Sequence, residues 1–332
     1  MSDFKVHILG CGSALPTVAH YPTSQVVELR DKLFMIDCGE GAQRQLRLQR
    51  LDFGRLVAIF ISHLHGDHCF GLPGLLSTLG LLGRRRALPI YGPKGIEAFL
   101  APFIEQNRQY LTYEIEIHTL EDRTPVVAYE DRSVLITTLP LKHGLPCMGY
   151  HLQERVTMRH IDRASCDFYG VPRSYYPMLR EGKDFETEEG TIIPNSRLTA
   201  AGQPARSYAY CSDTAYNPSL VPLVRHVDLL YHEATFLQDR SARARETGHS
   251  TAEQAALIAR DAEVRQLLIG HYSARYPDPA PLLREAQAIF PQTLAANEGM
   301  TLSLSVLSSH SAHHRPHRGI GRITQSWHLP KA

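Results

Sequence analysis

The sequence predicts an α/β fold in which two β-sheets face each other with helices outside, an α/β/β/α sandwich. Three observations carry this. Strand-like and helix-like segments alternate in two rough halves of the 332-residue chain. The apolar run Leu56-Val57-Ala58-Ile59-Phe60-Ile61 reads as a buried strand, and it leads straight into Ser62-His63-Leu64-His65-Gly66-Asp67-His68. Later strand-like runs also lead to metal-capable side chains, at His143, Asp213 and His271.

The elements follow in order. Met1 to Gly10 reads as a first strand rather than a leader segment. Val26–Leu29 and Leu33–Ile36 flank Arg30-Asp31-Lys32 in a hairpin pattern, closed by Asp37-Cys38-Gly39-Glu40-Gly41. Ala42 to Leu51 reads as a helix. Gly71 to Leu82 is an apolar helix entered through Pro73 and followed by Arg84-Arg85-Arg86. Pro89–Pro93 is a strand and turn, Ile96 to Gln106 a helix, and Ser133–Thr137 a strand. From Arg155 to Lys183 both periodicities are weak, and Gly170, Pro172, Pro177 and Gly182 interrupt them, so a long functional or disordered loop is expected. Strand patterns resume at Ser207–Tyr210, Val227–Tyr231 and Gln266–Ile269. Ser250 to Asp261 is a helix that Ser250 or Thr251 can cap, and Pro281 to Ile289 is the last. The tail 309–332 is basic, His-rich and poor in core residues, which predicts disorder.

Composition narrows the class. With 43% hydrophobic residues the chain can bury a substantial core. No apolar run reaches the roughly 18 residues of a membrane-spanning helix, so no membrane partner is expected. The six cysteines include no C-x-x-C pair, which argues against a disulfide or thiolate–zinc framework and for a reducing cytoplasm. The net charge of +1 does not mark a general nucleic-acid binder. Four cations and no acid lie beyond Ser308, so the rest of the chain is slightly acidic, and an RNA partner must be held by a local patch.

The motif at His63, His65, Asp67 and His68 places four metal-capable side chains within six residues at a strand end. Imidazole and carboxylate ligands suit Zn²⁺. A pair of such ions about 3.5–4 Å apart suits phosphate-ester hydrolysis, because it clamps the attacking and leaving oxygens. One loop cannot supply two ions. His143, Asp213 and His271 are the further candidates, and the Asp213 carboxylate can bridge.

These residues, with Leu9-Gly10-Cys11-Gly12, Gly71-Leu72-Pro73-Gly74-Leu75, Tyr91-Gly92-Pro93, Ser212-Asp213-Thr214, His232-Glu233-Ala234-Thr235-Phe236, His249-Ser250-Thr251 and His271 to Tyr276, resemble the metallo-β-lactamase superfamily. Within it they resemble the tRNase Z branch, the ribonuclease Z or tRNA 3′-processing endoribonucleases. The likeness runs from about Lys5 to Glu298. It implies a metallo-β-lactamase αββα sandwich over 1–308, with a flexible substrate-binding arm inserted at 155–183. It also implies two zinc ions per subunit. One would take His63, His65, His143 and Asp213, the other Asp67, His68, Asp213 and His271. Asp37, Glu40 and Ser212 are candidates to fix the imidazoles. The implied reaction is removal of the 3′ trailer from precursor tRNA by a metal-activated water, leaving a tRNA 3′-hydroxyl. Asp67 would orient or deprotonate the water, and His249, helped by Glu233, would protonate the leaving oxygen. The implied assembly is a homodimer.

In the arm, Arg155, Arg159, Arg163, Arg173, Arg180 and Lys183 are interleaved with aromatic residues and are candidates for RNA contacts. The Gly-Pro pair common in the family's arm is replaced by Val171-Pro172-Arg173-Ser174. The Lys-Arg-Asn-like segment associated with sparing CCA-ended tRNA is absent at Val18–Ser24. Arg84–Arg86 offer another phosphate contact. The rival readings are a metal-dependent phosphodiesterase for small or cyclic nucleotides, which needs no arm, and a non-catalytic RNA-binding protein, which has no use for Asp67.

Overall fold

The computed structural model describes residues 4–155, 158–202 and 204–304, and the backbone of 325–326. Most of the predicted tail, 309–332, lies outside the described residues. The chain divides into two compact units, one of Met1–Gln153 with Arg206–Ala332 and the other of Glu154–Ala205.

The first unit holds two large mixed sheets. Its strands open with β1 (Phe4–Gly10), β2 (Ser24–Leu29), β3 (Lys32–Cys38), β4 (Leu56–Phe60), β5 (Leu88–Gly92) and β6 (Ile115–Thr119). They continue with β7 (Val127–Glu130), β8 (Val134–Pro140) and β9 (Met148–Glu154). The four short strands β10 (His160–Ile161), β11 (Phe185–Glu186), β12 (Ile192–Ile193) and β13 (Thr199–Ala200) belong to the second unit. The first unit resumes with β14 (Ser207–Cys211), β15 (Leu229–Glu233), β16 (Leu267–Gly270), β17 (Thr293–Ala295), β18 (Thr301–Ser303) and β19 (Gln325–Ser326). One sheet has the order β19-β18-β1-β2-β3-β4-β5-β6, the other β17-β16-β15-β14-β9-β8-β7.

The helices are α1 (Ala42–Leu48), α2 (Gly66–Cys69), α3 (Leu72–Leu81), α4 (Ile96–Asn107), α5 (Arg163–Phe168), α6 (Tyr176–Arg180), α7 (Asn195–Leu198), α8 (Ser241–Thr247), α9 (Ala252–Asp261) and α10 (Ala280–Ile289). One core joins side chains of both sheets, such as Ile8, Phe34, Phe60, Met148, Tyr150 and Tyr210, and reaches the inner face of α9. A second core lies between the first sheet and the apolar faces of α1, α3 and α4, with Met35, Ile59, Leu75 and Leu100. Thus β4 is buried on both faces, which is why Leu56–Phe60 is apolar throughout rather than alternating. The α/β/β/α layering predicted from the sequence is the layering found. Among the described residues no helix is long and apolar enough to cross a membrane.

Two local features position the site. Helix α9 starts at Thr251, which accepts from the Gln254 amide in a full capping box, so the cap is Thr251 and not Ser250. The opening Gly10 sits where the β1–β2 pairing shifts register, and a Cβ there would lie 1.8 Å from the Pro22 carbonyl oxygen. Glu298 then ties this turn down: it accepts from the Tyr21 amide at 2.9 Å and pairs with His20 Nδ1 at 3.0 Å.

The second unit corrects the expectation of an irregular loop at 155–183. The compact segment runs to Ala205 and carries three short helices, two two-stranded ribbons and a small core of Cys166, Val171, Leu179, Ile193 and Leu198. Asn195, buried, donates to the carbonyls of Leu179 and Lys183, both at 2.8 Å. Elements of two to six residues leave no readable period, which is why the pattern looked irregular.

Candidate metal centre

The strands of the two sheets deliver their metal-capable residues to one end of the sandwich. Beyond the carboxyl end of β4 come Ser62 and His63, and beyond β14 come Ser212 and Asp213. Glu233 closes β15, and His271 follows β16. Parallel β14, β15 and β16 align these ends in register, so the site forms where open α/β sheets bind ligands. His143 follows β8.

Two clusters result, sharing Asp213. In one, His63 Nε2 and His143 Nε2 lie 3.0 and 3.2 Å from His65 Nδ1, and 3.5 and 3.9 Å from Asp213 Oδ2. In the other, His68 Nε2 and His271 Nε2 lie 3.3 and 3.1 Å from Asp213 Oδ1, and each lies 3.4 Å from Asp67 Oδ2. Four ligands about 2.0–2.1 Å from a tetrahedral ion stand about 3.3 Å apart, so these separations match the edges of two such shells. One carboxylate oxygen of Asp213 faces each cluster.

The donor set fits a pair of cations. His68 Nε2 is buried without a hydrogen-bond partner while facing two carboxylates. Each Nδ1 turned away from the clusters meets an acceptor, which assigns the tautomers. His63 meets Ser62 Oγ at 3.0 Å, His68 meets Asp37 Oδ2 at 2.8 Å, His143 meets the Gly248 carbonyl at 2.8 Å and His271 meets Thr235 Oγ1 at 2.9 Å. Donation outward leaves each Nε2 lone pair pointing inward. His65 is the exception and presents Nδ1. Three imidazoles and a carboxylate in one cluster, and two imidazoles and two carboxylates in the other, bring their lone pairs together only at a cost, which a cation offsets.

Asp37 anchors this wall. It accepts from the Ser62 amide at 2.7 Å, Ser62 Oγ at 2.8 Å and Tyr210 OH at 2.6 Å besides His68. Ser212 Oγ lies 3.2 Å from Ser62 Oγ and 3.5 Å from His68 Nδ1, so it too borders the imidazoles. Glu40 does not: it is exposed on the wall of the pocket, and among the described residues it bonds no imidazole of either cluster. Asp37 and His271 both adopt positive φ, 55° and 62°, a conformation that strains residues with a Cβ.

Glu233 is fully buried and saturated. It accepts from the amides of Thr214, Thr235 and Ser250, from Thr235 Oγ1 at 2.7 Å and from His249 Nδ1 at 2.9 Å. Burial pushes the His249 pKa down, but the Glu233 carboxylate outweighs this and lifts it to about 9. His249 lines a pocket of about 640 Å³ with Asp67, Asp213 and His271. Its ring is therefore engaged by Glu233, and Thr251 caps the helix that follows.

Sequence reasoning did not find the roles of Thr235, Ser62 and the Gly248 carbonyl, although the first two lie inside the motifs. Nor did it single out Phe70 and Arg243, or give a role to Phe236 and Arg275 inside their motifs; all four complete the pocket wall. Of the arm cations, Arg159 Nε donates to Thr199 Oγ1 at 2.7 Å and is tied within its own unit, so it is not a free surface cation. Arg155, Arg163, Arg173, Arg180 and Lys183 are exposed.

Residues 4–158 match a family model described as anti-Pycsar protein Apyc1, and residues 194–272 match a beta-lactamase superfamily domain. A protein of Porphyromonas gingivalis W83 named ribonuclease Z is 57% identical over 304 residues, 92% of this chain and all (100%) of the relative. A Bacteroides thetaiotaomicron protein of the same name is 56% identical over 305 residues, 92% of this chain and 96% of the relative. The chain belongs to the ribonuclease Z family. Among solved structures, the short form of human tRNase Z is 25% identical with a TM-score of 0.66, covering 91% of this chain and 100% of that one. The metallo-β-lactamase fold protein YhfI of Bacillus subtilis, 22% identical with a TM-score of 0.62 over 91% of this chain and 99% of its own, shares the fold. Membership in ribonuclease Z makes this a metal-dependent endoribonuclease of the metallo-β-lactamase fold.

Proposed function

We propose that the two clusters each hold a Zn²⁺ ion and that the chain removes the 3′ trailer from precursor tRNA, leaving a tRNA 3′-hydroxyl. The observation that carries this is the division of the Asp213 carboxylate, Oδ1 to one cluster and Oδ2 to the other. His63, His65, His143 and Asp213 would hold one ion, and Asp67, His68, His271 and Asp213 the other. When bound, the ions supply an acidified water and a positive field for the phosphoryl oxygens.

The protein's own groups do the rest. Asp67, ionised beside His68 and His271, orients the attacking water through its remaining carboxylate oxygen and accepts its proton. His249 donates a proton to the leaving 3′-oxygen from Nε2, because Glu233 occupies Nδ1 and favours the charged ring. Thr235, Thr214 and Ser250 hold Glu233 so that it cannot turn toward the substrate. The exposed cations Arg155, Arg163, Arg173, Arg180 and Lys183 would meet phosphates of the tRNA body. The homodimer belongs to this reading on the family resemblance. Six unpaired buried thiols support a reducing, cytoplasmic setting.

Cleavage of an end-labelled precursor tRNA, with and without a chelator, tests the proposal. A chelator-sensitive cut just after the discriminator base is the expected result. Hydrolysis of a small aryl phosphodiester with no cut in the precursor would favour the small-nucleotide phosphodiesterase instead.

A further inference from the structure

A second concave surface lies at the opposite end of the same strands. The C-terminal turn of α1, the segment up to Gly54, the end of α3 and Gly83–Arg86 enclose a groove of about 720 Å³. These segments flank the amino end of β4, whereas His63 follows its carboxyl end. The seven residue steps from Leu56 to His63 separate the two places by roughly 20 Å along the strand direction. The groove is therefore not part of the metal pocket.

Five arginines line it: Arg47, Arg50, Arg84, Arg85 and Arg86. Arg84 builds the frame. Its guanidinium donates to the carbonyls of Leu56, Arg86 and Ala87 at 3.0, 2.8 and 3.1 Å, and it lies over the Tyr113 ring. This pins the loop that carries Arg85 and Arg86. The side chains of Arg47, Arg50, Arg85 and Arg86 are exposed and make no hydrogen bond or ion pair among the described residues. Asp52 is the only carboxylate in the lining, and it already accepts from the Gly54 amide. The chain as a whole carries only +1, so this concentration is not a by-product of general basicity. Like charges gathered without counter-ions repel, and an anion with several spaced charges offsets that cost. Guanidinium groups match phosphate oxygens in shape as well as charge.

We propose that this groove binds the phosphate backbone of RNA at a place separate from the cleavage site. The choice of RNA rests on the ribonuclease reading above; the demand for a phosphate-bearing polyanion stands on the groove's own charges. The groove holds substrate without touching the scissile bond, so it contributes to affinity and not to the chemical step. Each guanidinium that neutralises a phosphate releases a counter-ion, so its share is visible in the salt dependence of binding.

The test uses the full chain with Arg47→Gln, Arg50→Gln, Arg85→Gln and Arg86→Gln combined. Fluorescence anisotropy with a labelled precursor tRNA, in chelator so that no cleavage occurs, gives Kd at several salt concentrations. We expect at least tenfold weaker binding by the variant near 0.1 M salt. The log–log salt slope should become shallower by up to about 3, near 0.7 for each of four lost contacts. Turnover of a small aryl phosphodiester by the metal-loaded variant should match wild type, which shows that the fold and the cleavage pocket are intact. Unchanged Kd and slope would overturn the proposal. So would a variant that keeps its RNA affinity but loses binding to anionic phospholipid vesicles, because the charges would then serve a membrane surface. Binding is read without cleavage, so a wild-type chain that binds RNA but does not cut it would sink the ribonuclease reading and leave the groove assignment standing.

Discussion

Thr235 carries two duties with one oxygen. Its hydroxyl donates to Glu233 Oε2 at 2.7 Å and takes the Nδ1 proton of His271 at 2.9 Å. Valine keeps the shape and loses both bonds. Thr235→Val should weaken metal affinity roughly 10–100-fold, measured by competition with a chromophoric chelator; unchanged affinity would mean that His271 needs no such partner. His249 separates chemistry from metal binding. His249→Ala should lower single-turnover cleavage about 10²–10⁴-fold, the usual worth of a positioned acid, while metal content by mass spectrometry stays that of wild type. Loss of metal together with rate would make His249 a ligand instead. The residues of the two clusters were legible because a metal site dictates residue types. Thr235 was visible only as part of a motif, since its work depends on Glu233 and His271 meeting across two strands. The positive φ at Asp37 and His271 had no sequence signal, because neither is glycine. Each costs about 1–2 kcal/mol, and each belongs to the wall around His68.

At the scale of elements, strand and helix ends do the positioning. Gly248 ends α8 with φ 71°, and its carbonyl receives the His143 proton. A Cβ there would stand 2.9 Å from His143 Nδ1. Gly248→Val should therefore displace His143 and reduce bound metal from two ions per chain toward one, with α8 otherwise retained; two tightly held ions in the variant would contradict this. On β2, inside the first sheet, Glu28 ties its strand to β1 and to the segment that enters β4. It pairs with His7 at 3.2 Å, Arg55 at 2.6 Å and Lys5 at 3.8 Å. The His7 bond, aided by Arg55 and Lys5, overcomes burial and lowers its pKa to about 2. A folded pKa below the unfolded value of 4.5 gives stability that is present above about pH 4.5 and is lost as pH falls toward 2. Glu28→Gln should lower Tm near pH 6, and the difference should close toward pH 2; a constant difference would show that packing, not charge, is at work. Strands buried on both faces, such as β4 and β14, were legible as apolar runs. The peripheral β6 and β7 were not, since mixed exposure leaves no clean alternation. Strands of three residues such as β17 and β18 are too short to show a period.

At the scale of the molecule, a sheet sandwich carries the metal centre and a separate inserted unit carries exposed cations. The insertion leaves and returns through neighbouring strands, since Gln153 of β9 faces Ser207 of β14 across an antiparallel pair. Residues 154–205 can thus be replaced by a short turn without stretching either sheet. That deletion should nearly abolish precursor tRNA cleavage while hydrolysis of a small aryl phosphodiester survives. Equal loss of both activities would make the unit part of the catalytic fold. The two-sheet layering was legible because alternating elements and one metal motif restrict the architecture. The extent of the insertion was not, because its small core is assembled from fragments. Asp213 divides its two carboxylate oxygens between the two clusters. Anomalous diffraction at the zinc edge from crystals of the zinc-loaded protein tests this division most directly. Two peaks about 3.5–4 Å apart are expected, with Asp213 between them and His63, His65 and His143 on one side. A single peak, or two peaks without Asp213 between them, would contradict it.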